Sequence, residues 1–390
     1  MKRSTTRVLR AATVLLVAAA AGPRPASALH SVFLSVPSHS EEALTWCGPA
    51  VAEMTMEGYP TTACSHLQAD VWAAIVGHKV EATWDTDPVG MREALKSLCP
   101  PPGTWSVVAR TAEDDLMYSV AFWMTQNSFP VPVVLDTAAH RPTVPAHPEH
   151  WVLVKGIVTD VNPVGSPTVT LEHIWYTDPS PAAFGDPPIE SFIPGGTWST
   201  HLQPVNKPGS AYDGQHVAVI EPPRPRGRVR VKLPALTGRI LPAAKALELA
   251  KRWVEKIEPL REIEPFKGLQ RSRPLKPLLV NPRHGGYYLV PYSADGETAS
   301  HAILVNAYSG EFQGAGAFAR RRYMSDREAL KRALRFFGIH RPQRYDVTLV
   351  YSPEAGAASL FHPVWQVAVD QHVAAVRQDG SVRRWPKGRE

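Results

Sequence analysis

The chain changes periodicity once, at Cys99-Pro100-Pro101-Pro102, and that change limits the architectures open to it. Before it the pattern is helical. From Cys47 onward, Val51, Met54, Thr55 and Gly58 recur at three- and four-residue spacing, and Gly58-Tyr59-Pro60 stops the helix. The same reading predicts helices over 65–76 and 89–98. After the prolines, short apolar runs at 131–135, 151–156, 169–176 and 217–220 are divided by Pro, Gly, Asp and Asn, with one further helix over 114–126. Helices first and strands second is the pattern of an α+β domain with segregated layers.

Pro222-Pro223-Arg224-Pro225-Arg226-Gly227-Arg228 follows the last of these strands. Proline stiffens it and arginine keeps it in water, so 223–238 is expected to be a linker between a domain at 29–222 and a smaller α+β domain at 239–390. The second region has helical spacing over 243–256 and 326–337. In it, His301-x-x-x-Val305 followed by Gly310 recurs as His372-x-x-x-Val376 followed by Gly380, each after an extended apolar segment. That pattern fits either a duplicated helix-plus-hairpin unit or two hairpins alike by chance.

The first 28 residues read as a secretory leader. Lys2, Arg3, Arg7 and Arg10 precede the apolar run Ala11 to Ala21, which is too short for the ~20 residues of a membrane span. Ala26-Ser27-Ala28 then offers a small-x-small cleavage site, so the exported chain is expected to begin near Leu29 and to carry no stable membrane span. The formal charge of +6 falls to +1 without the five basic residues of the leader, too little to argue for an acidic partner. One basic run remains, from Arg224 to Lys232, but it lacks interleaved aromatics for bases to stack on, so no nucleic-acid partner is expected.

Three cysteines in an exported chain make an informative odd number. Cys64 and Cys99 are expected to bond to each other, leaving the thiol of Cys47. In Trp46-Cys47-Gly48-Pro49-Ala50 this cysteine stands where an extended segment meets a helix N-terminus, whose dipole favours thiolate. Gly48 beside it would leave room for a substrate backbone. A thiolate nucleophile needs a base, and His150 in Glu149-His150-Trp151-Val152-Leu153 opens a strand; His140 and His147 lie in loop. Asp178, in Trp175-Tyr176-Thr177-Asp178-Pro179, ends the next apolar strand, where its carboxylate could orient the imidazole or cap the turn. No Cys-x-x-Cys or His-Glu-x-x-His spacing, phosphate-binding glycine loop or Gly-x-Ser-x-Gly elbow is present, so no metal or other cofactor is expected.

These three segments, in this order, resemble the bacterial papain-like cysteine peptidases, especially the C39 branch. The resemblance covers about residues 31–221. It implies a papain-like fold, with N-terminal helices and a C-terminal antiparallel sheet, that hydrolyses peptide or protein substrates through a Cys47–His150–Asp178 triad. Acyl transfer to another amine would use the same residues. The region after 238 resembles the small PepSY type of domain. One position departs from the pattern: six residues before the cysteine the family has a glutamine whose amide helps hold the oxyanion, and here stands Glu41. An ionised carboxylate cannot donate a hydrogen bond. Either Glu41 donates when neutral, or it points into solvent while Ser40 or a backbone N–H serves, or the fold is an inactive peptide binder.

Overall fold

The computed structural model describes residues 29–43, 45–59, 64–99, 105–136, 149–179, 188–200, 202–220, 226–281, 285–352, 355, 357 and 359–386. Residues 1–28, expected above to be a leader, His140, His147 and the prolines at 222, 223 and 225 lie outside the described residues.

The first half of the chain forms β1 (His30–Phe33), α1 (Cys47–Glu57), α2 (Gln68–His78), α3 (Pro88–Leu98), β2 (Ser106–Arg110), α4 (Glu113–Asn127), β3 (Val131–Asp136), β4 (Glu149–Thr159), β5 (Thr168–Asp178), β6 (Ile189–Pro194), α5 (Gly195–Ser199) and β7 (His216–Ile220). The entry to α3 shows how local chemistry fixes a boundary. Asp87 Oδ1 accepts from Gly90 N at 2.6 Å, Pro88 takes the first helical position, and Oδ2 accepts from Val80 N and Glu81 N at 2.6 and 2.7 Å. Cys64 and Cys99 form the expected disulfide, their Cα atoms 6.2 Å apart, which ties the approach to α2 to the end of α3.

The second half continues with β8 (Arg228–Arg230), α6 (Ala243–Lys256), α7 (Pro259–Glu262), a 3₁₀ segment (Glu264–Arg271), β9 (Arg273–Pro274), β10 (Leu278–Val280), β11 (Tyr287–Ser293), β12 (Ala299–Asn306) and β13 (Phe312–Arg321). It ends in α8 (Asp326–Phe337), β14 (Tyr345–Val350), β15 (Val364–Val369), β16 (His372–Val376) and β17 (Val382–Arg384). Ser325 Oγ caps α8 by accepting from Glu328 N, and Gly338 closes it at φ 70°. The fold is mixed α+β, with the helices of the N-terminal part ahead of a large antiparallel sheet and a separate four-stranded sheet, β14-β15-β16-β17, at the C-terminus.

The large sheet runs β10-β11-β12-β13-β6-β5-β4-β3-β7-β2, with β1, β8 and β9 at its margins. It is covered on both faces. Trp151, Leu153, Val217 and Val219 pack with α1, α2 and α3, and Val133, Val152, Val154 and Ile174 pack with α4.

The order of this sheet corrects the expected linker. Residues 228–230 are not a solvated spacer: they pair in parallel with Thr168 to Thr170, and Val229 is buried. Beyond them the same sheet continues. Ala315, Gly316 and Ala317 of β13 pair with Phe192, Ser191 and Glu190 of β6. Val158, Trp175 and Phe192 share one apolar core with Ala246, Phe266, Ile303 and Phe312. The physical reason is that β6 offers an edge that the small residues of β13 can approach, so the region before 222 and the region after 238 are joined by a hydrogen-bonded seam.

Candidate active site

Two of the four residues singled out in the sequence are held together by a short hydrogen bond. His150 is the second residue of β4, paired with Leu135, and Asp178 is the last of β5, paired with Ile189. The Nε2–H of His150 donates to Asp178 Oδ1 at 2.7 Å, with the two side chains 1% and 8% exposed. A carboxylate at Nε2 fixes the tautomer of a neutral imidazole and leaves Nδ1, itself shut off from solvent, as the basic nitrogen.

Cys47 is the first residue of α1, is buried, and stays outside the disulfide. No acidic residue stands in the first turn to oppose the helix dipole at the thiol. Cys47 shares a core cluster with Val134, Trp151 and Leu153, so its helix is seated on the strand that His150 opens. By strand alternation His150 itself lies on the face of Leu135 and Val152.

Gly48 turns out to serve the scaffold and not an open cleft. A Cβ there would lie 2.2 Å from Thr86 Oγ1, because the threonine packs directly on the start of α1. The carbonyl of Thr86 in turn accepts from Trp151 Nε1 at 2.9 Å. Thr86 therefore couples the helix of Cys47 to the residue next to His150, a link that nothing in the sequence spacing announces.

Glu41 is completely buried, which removes the alternative in which it points into solvent. Its backbone N donates to Pro179 O at 3.0 Å, one residue beyond Asp178. Gln68 holds the rest of this segment: its amide donates to Ser40 O at 2.8 Å and its Oε1 accepts from Glu42 N at 3.0 Å. Sequence reading missed Gln68 because a glutamine in the first turn of a helix carries no distinguishing signal.

The C-terminal part of the chain also reaches this site. The tyrosine hydroxyl of Tyr351 is pushed far up by burial, with Tyr176 and the charge of Asp178 adding to it. His362, buried and held well below its ordinary value by burial and by Arg321, feels Asp178 in the opposite sense. Both residues lie in the stretch that joins β14 to β15, so the His150–Asp178 pair has neighbours from both ends of the sequence.

Behind the pair, on the facing side of the strands, lies a buried ionic cluster. Lys155 Nζ donates to Glu190 Oε1 at 2.7 Å, to Ser38 Oγ at 2.9 Å and to Val36 O at 3.2 Å, and sits 4.6 Å from the Trp175 ring. Glu190 accepts further from Trp175 Nε1, Thr177 Oγ1 and Ser38 Oγ. Burial pushes the Lys155 amine down while Glu190 opposes the shift.

A polarised imidazole, a thiol at a helix N-terminus and a buried carboxyl on the preceding segment are components of nucleophilic acyl chemistry. Comparison of the chain with protein-family models, with curated proteins and with solved structures gives no match.

Proposed function

We propose that this is an exported papain-like cysteine peptidase in which Cys47 is the nucleophile, His150 the general base and Asp178 the residue that orients the imidazole. The observation that carries the reading is the buried 2.7 Å hydrogen bond from His150 to Asp178 at the ends of neighbouring strands. In this mechanism Nδ1 of His150 takes the thiol proton and the thiolate attacks the substrate carbonyl. The imidazolium then gives its proton to the leaving amine, and water releases the acyl group from the thioester. The mechanism requires the thiol of Cys47 to reach Nδ1 of His150 at the start of β4. The leader at 1–28 and the Cys64–Cys99 bridge support export.

The same reading makes the region after 238 a duplicated PepSY-like pair. It is supported by the order of elements, since α6 and α8 each precede a meander of four strands.

A second reading, a catalytically inactive peptide binder of the same fold, is favoured by Glu41. A buried carboxyl donates to an oxyanion only while it carries its proton. Both readings are tested by treating wild type and Cys47→Ala with a peptide-based electrophile and by measuring kcat/KM for wild type and Glu41→Gln from about pH 4 to 8, the range of carboxylate and imidazole titration. The peptidase reading expects labelling of Cys47 alone. It also expects Glu41→Gln to raise the rate at neutral pH by roughly tenfold to a thousandfold, the worth of one oxyanion donor, with a gain that grows with pH. An unlabelled Cys47 rejects the peptidase. Superimposable pH profiles reject the role of Glu41.

A further inference from the structure

On the flank of α1, the side chains of His39, Glu53 and Glu57 converge, with one ligand atom of each within 4.8 Å of the others. Glu53 and Glu57 stand at i and i+4 on one helix face. His39 arrives from the segment that leads to Glu41, where its backbone N lies 3.3 Å from Met54 Sδ. His39 Nε2 is 2.7 Å from Glu57 Oε2, and Ser65 Oγ donates to Glu57 Oε1 at 3.0 Å. Glu53 Oε2 is shut off from solvent and meets no hydrogen-bond donor.

The charges around this cluster do not balance. The carboxyl groups of Glu53, Glu57 and Glu42 gather around the single imidazole of His39, and the Gln68 amide reaches Glu53. Three carboxyl groups thus share one imidazole.

We propose that His39, Glu53 and Glu57 bind a single divalent transition-metal ion, with zinc the best match to the donors. One imidazole nitrogen with two carboxylate oxygens is a zinc donor set, and three protein ligands leave a fourth tetrahedral position for water. Calcium and magnesium prefer all-oxygen sites. On binding, Nε2 of His39 gives its proton to solvent and its lone pair to the metal. The ion would fasten the segment carrying Glu41 to the helix carrying Cys47, through residues that Gln68 already bridges. The site is independent of the peptidase reading. No sequence motif announces it, because a single histidine stands 14 and 18 residues ahead of the two glutamates.

The test is calorimetric titration of zinc chloride into the metal-free full chain at pH 7.5, beside His39→Ala, Glu53→Gln and Glu57→Gln. One site is expected in wild type. Each variant should bind at least about tenfold more weakly, as expected when a metal site loses part of its support. Zinc should raise the Tm of wild type and not that of the variants. Glu53→Gln keeps the shape of the side chain, and its circular dichroism without metal checks that it is folded. A His372→Ala control, an exposed histidine far along the chain, should bind like wild type. Absence of zinc binding in wild type, equal affinity in Glu53→Gln, or uptake of calcium in preference to zinc would each overturn the proposal.

Discussion

The two C-terminal meanders share an order of elements and meet different fates. In each, a helix precedes a path of four antiparallel strands (β10 to β13 after α6, α7, the 3₁₀ segment and β9; β14 to β17 after α8), a histidine stands in the second hairpin (His301, His372), and a glycine with positive φ makes the last turn (Gly310 at 73°, Gly380 at 90°). The first meander is absorbed into the large sheet, whereas the second remains a sheet of its own. The difference lies in the last strand of each. β13 has ten residues, and its Gly314-Ala315-Gly316-Ala317 stretch lets neighbours come close. A Cβ at Gly314 would stand 2.8 Å from Ile193 Cγ2, and one at Gly316 would stand 2.7 Å from the Phe361 ring. β17 has three residues and ends on exposed Arg384. A long, small-residue edge invites a partner, while a short charged one resists pairing. The edge strand, more than the repeated order, decides where such a unit ends up.

The largest expected effect comes from removing the seam. A chain ending at residue 222 loses β13 and leaves the edge of β6 without its partner, with Val158, Trp175 and Phe192 stripped of the core they share with α6. It should lack the cooperative thermal transition of the full chain in circular dichroism. A soluble 29–222 fragment with a sharp melt would break the comparison, because β13 would then be dispensable.

A point substitution sharpens the same contrast. Glu190 lies opposite Ala317 in the seam and neutralises buried Lys155. Glu190→Gln leaves that ammonium without its anion and should cost about 3–5 kcal/mol in urea denaturation. Arg384→Gln on the edge of β17 should stay within about 0.5 kcal/mol. Similar costs for the two would mean that the seam is no more anchored than the rim.

The smallest effect is one of pH. His173 stacks on Phe192 with ring centroids 4.9 Å apart and lies 5.9 Å from Phe312, so it touches both sides of the seam. Burial pushes it down to about 4 from an ordinary 6.5. Burial lowers His301 as well, against the opposing bond to Pro265 O. A histidine whose folded value is depressed takes up protons more readily in the unfolded chain. Its contribution is therefore complete above about pH 6.5 and is lost as pH falls toward 4. Tm should drop across that window, and His173→Phe, which keeps the stacking, should make the drop shallower. An unchanged slope would take His173 out of the account.

How far these features were legible depended on the range of the forces behind them. The helices expected over 243–256 and 326–337 appear as Ala243–Lys256 and Asp326–Phe337, because three- and four-residue spacing is a local signal. The sequence pattern also pointed to the pairing of Cys64 with Cys99, to a strand beginning at His150, which the structure starts one residue earlier at Glu149, and to a strand closed by Asp178. β6 and β8 escaped notice. In β6, Glu190 and Ser191 are polar residues that are buried by partners far away in sequence, and in β8 a lone Val229 turns inward between two arginines.

The sequence by itself determined the longer helices, several of the strands and the disulfide pair, and it pointed to the residues on which the proposed acyl chemistry rests, since each depends on spacing along a few turns or one loop. Tertiary structure alone decided that β13 completes β6, that Thr86 occupies the space above Gly48, that Glu41 is buried, and that His39 meets Glu53 and Glu57. These are meetings of edges and side chains across long separations. Which edge pairs with which, and which polar group loses water, follow from how the whole sheet closes its two faces, and no local period encodes that.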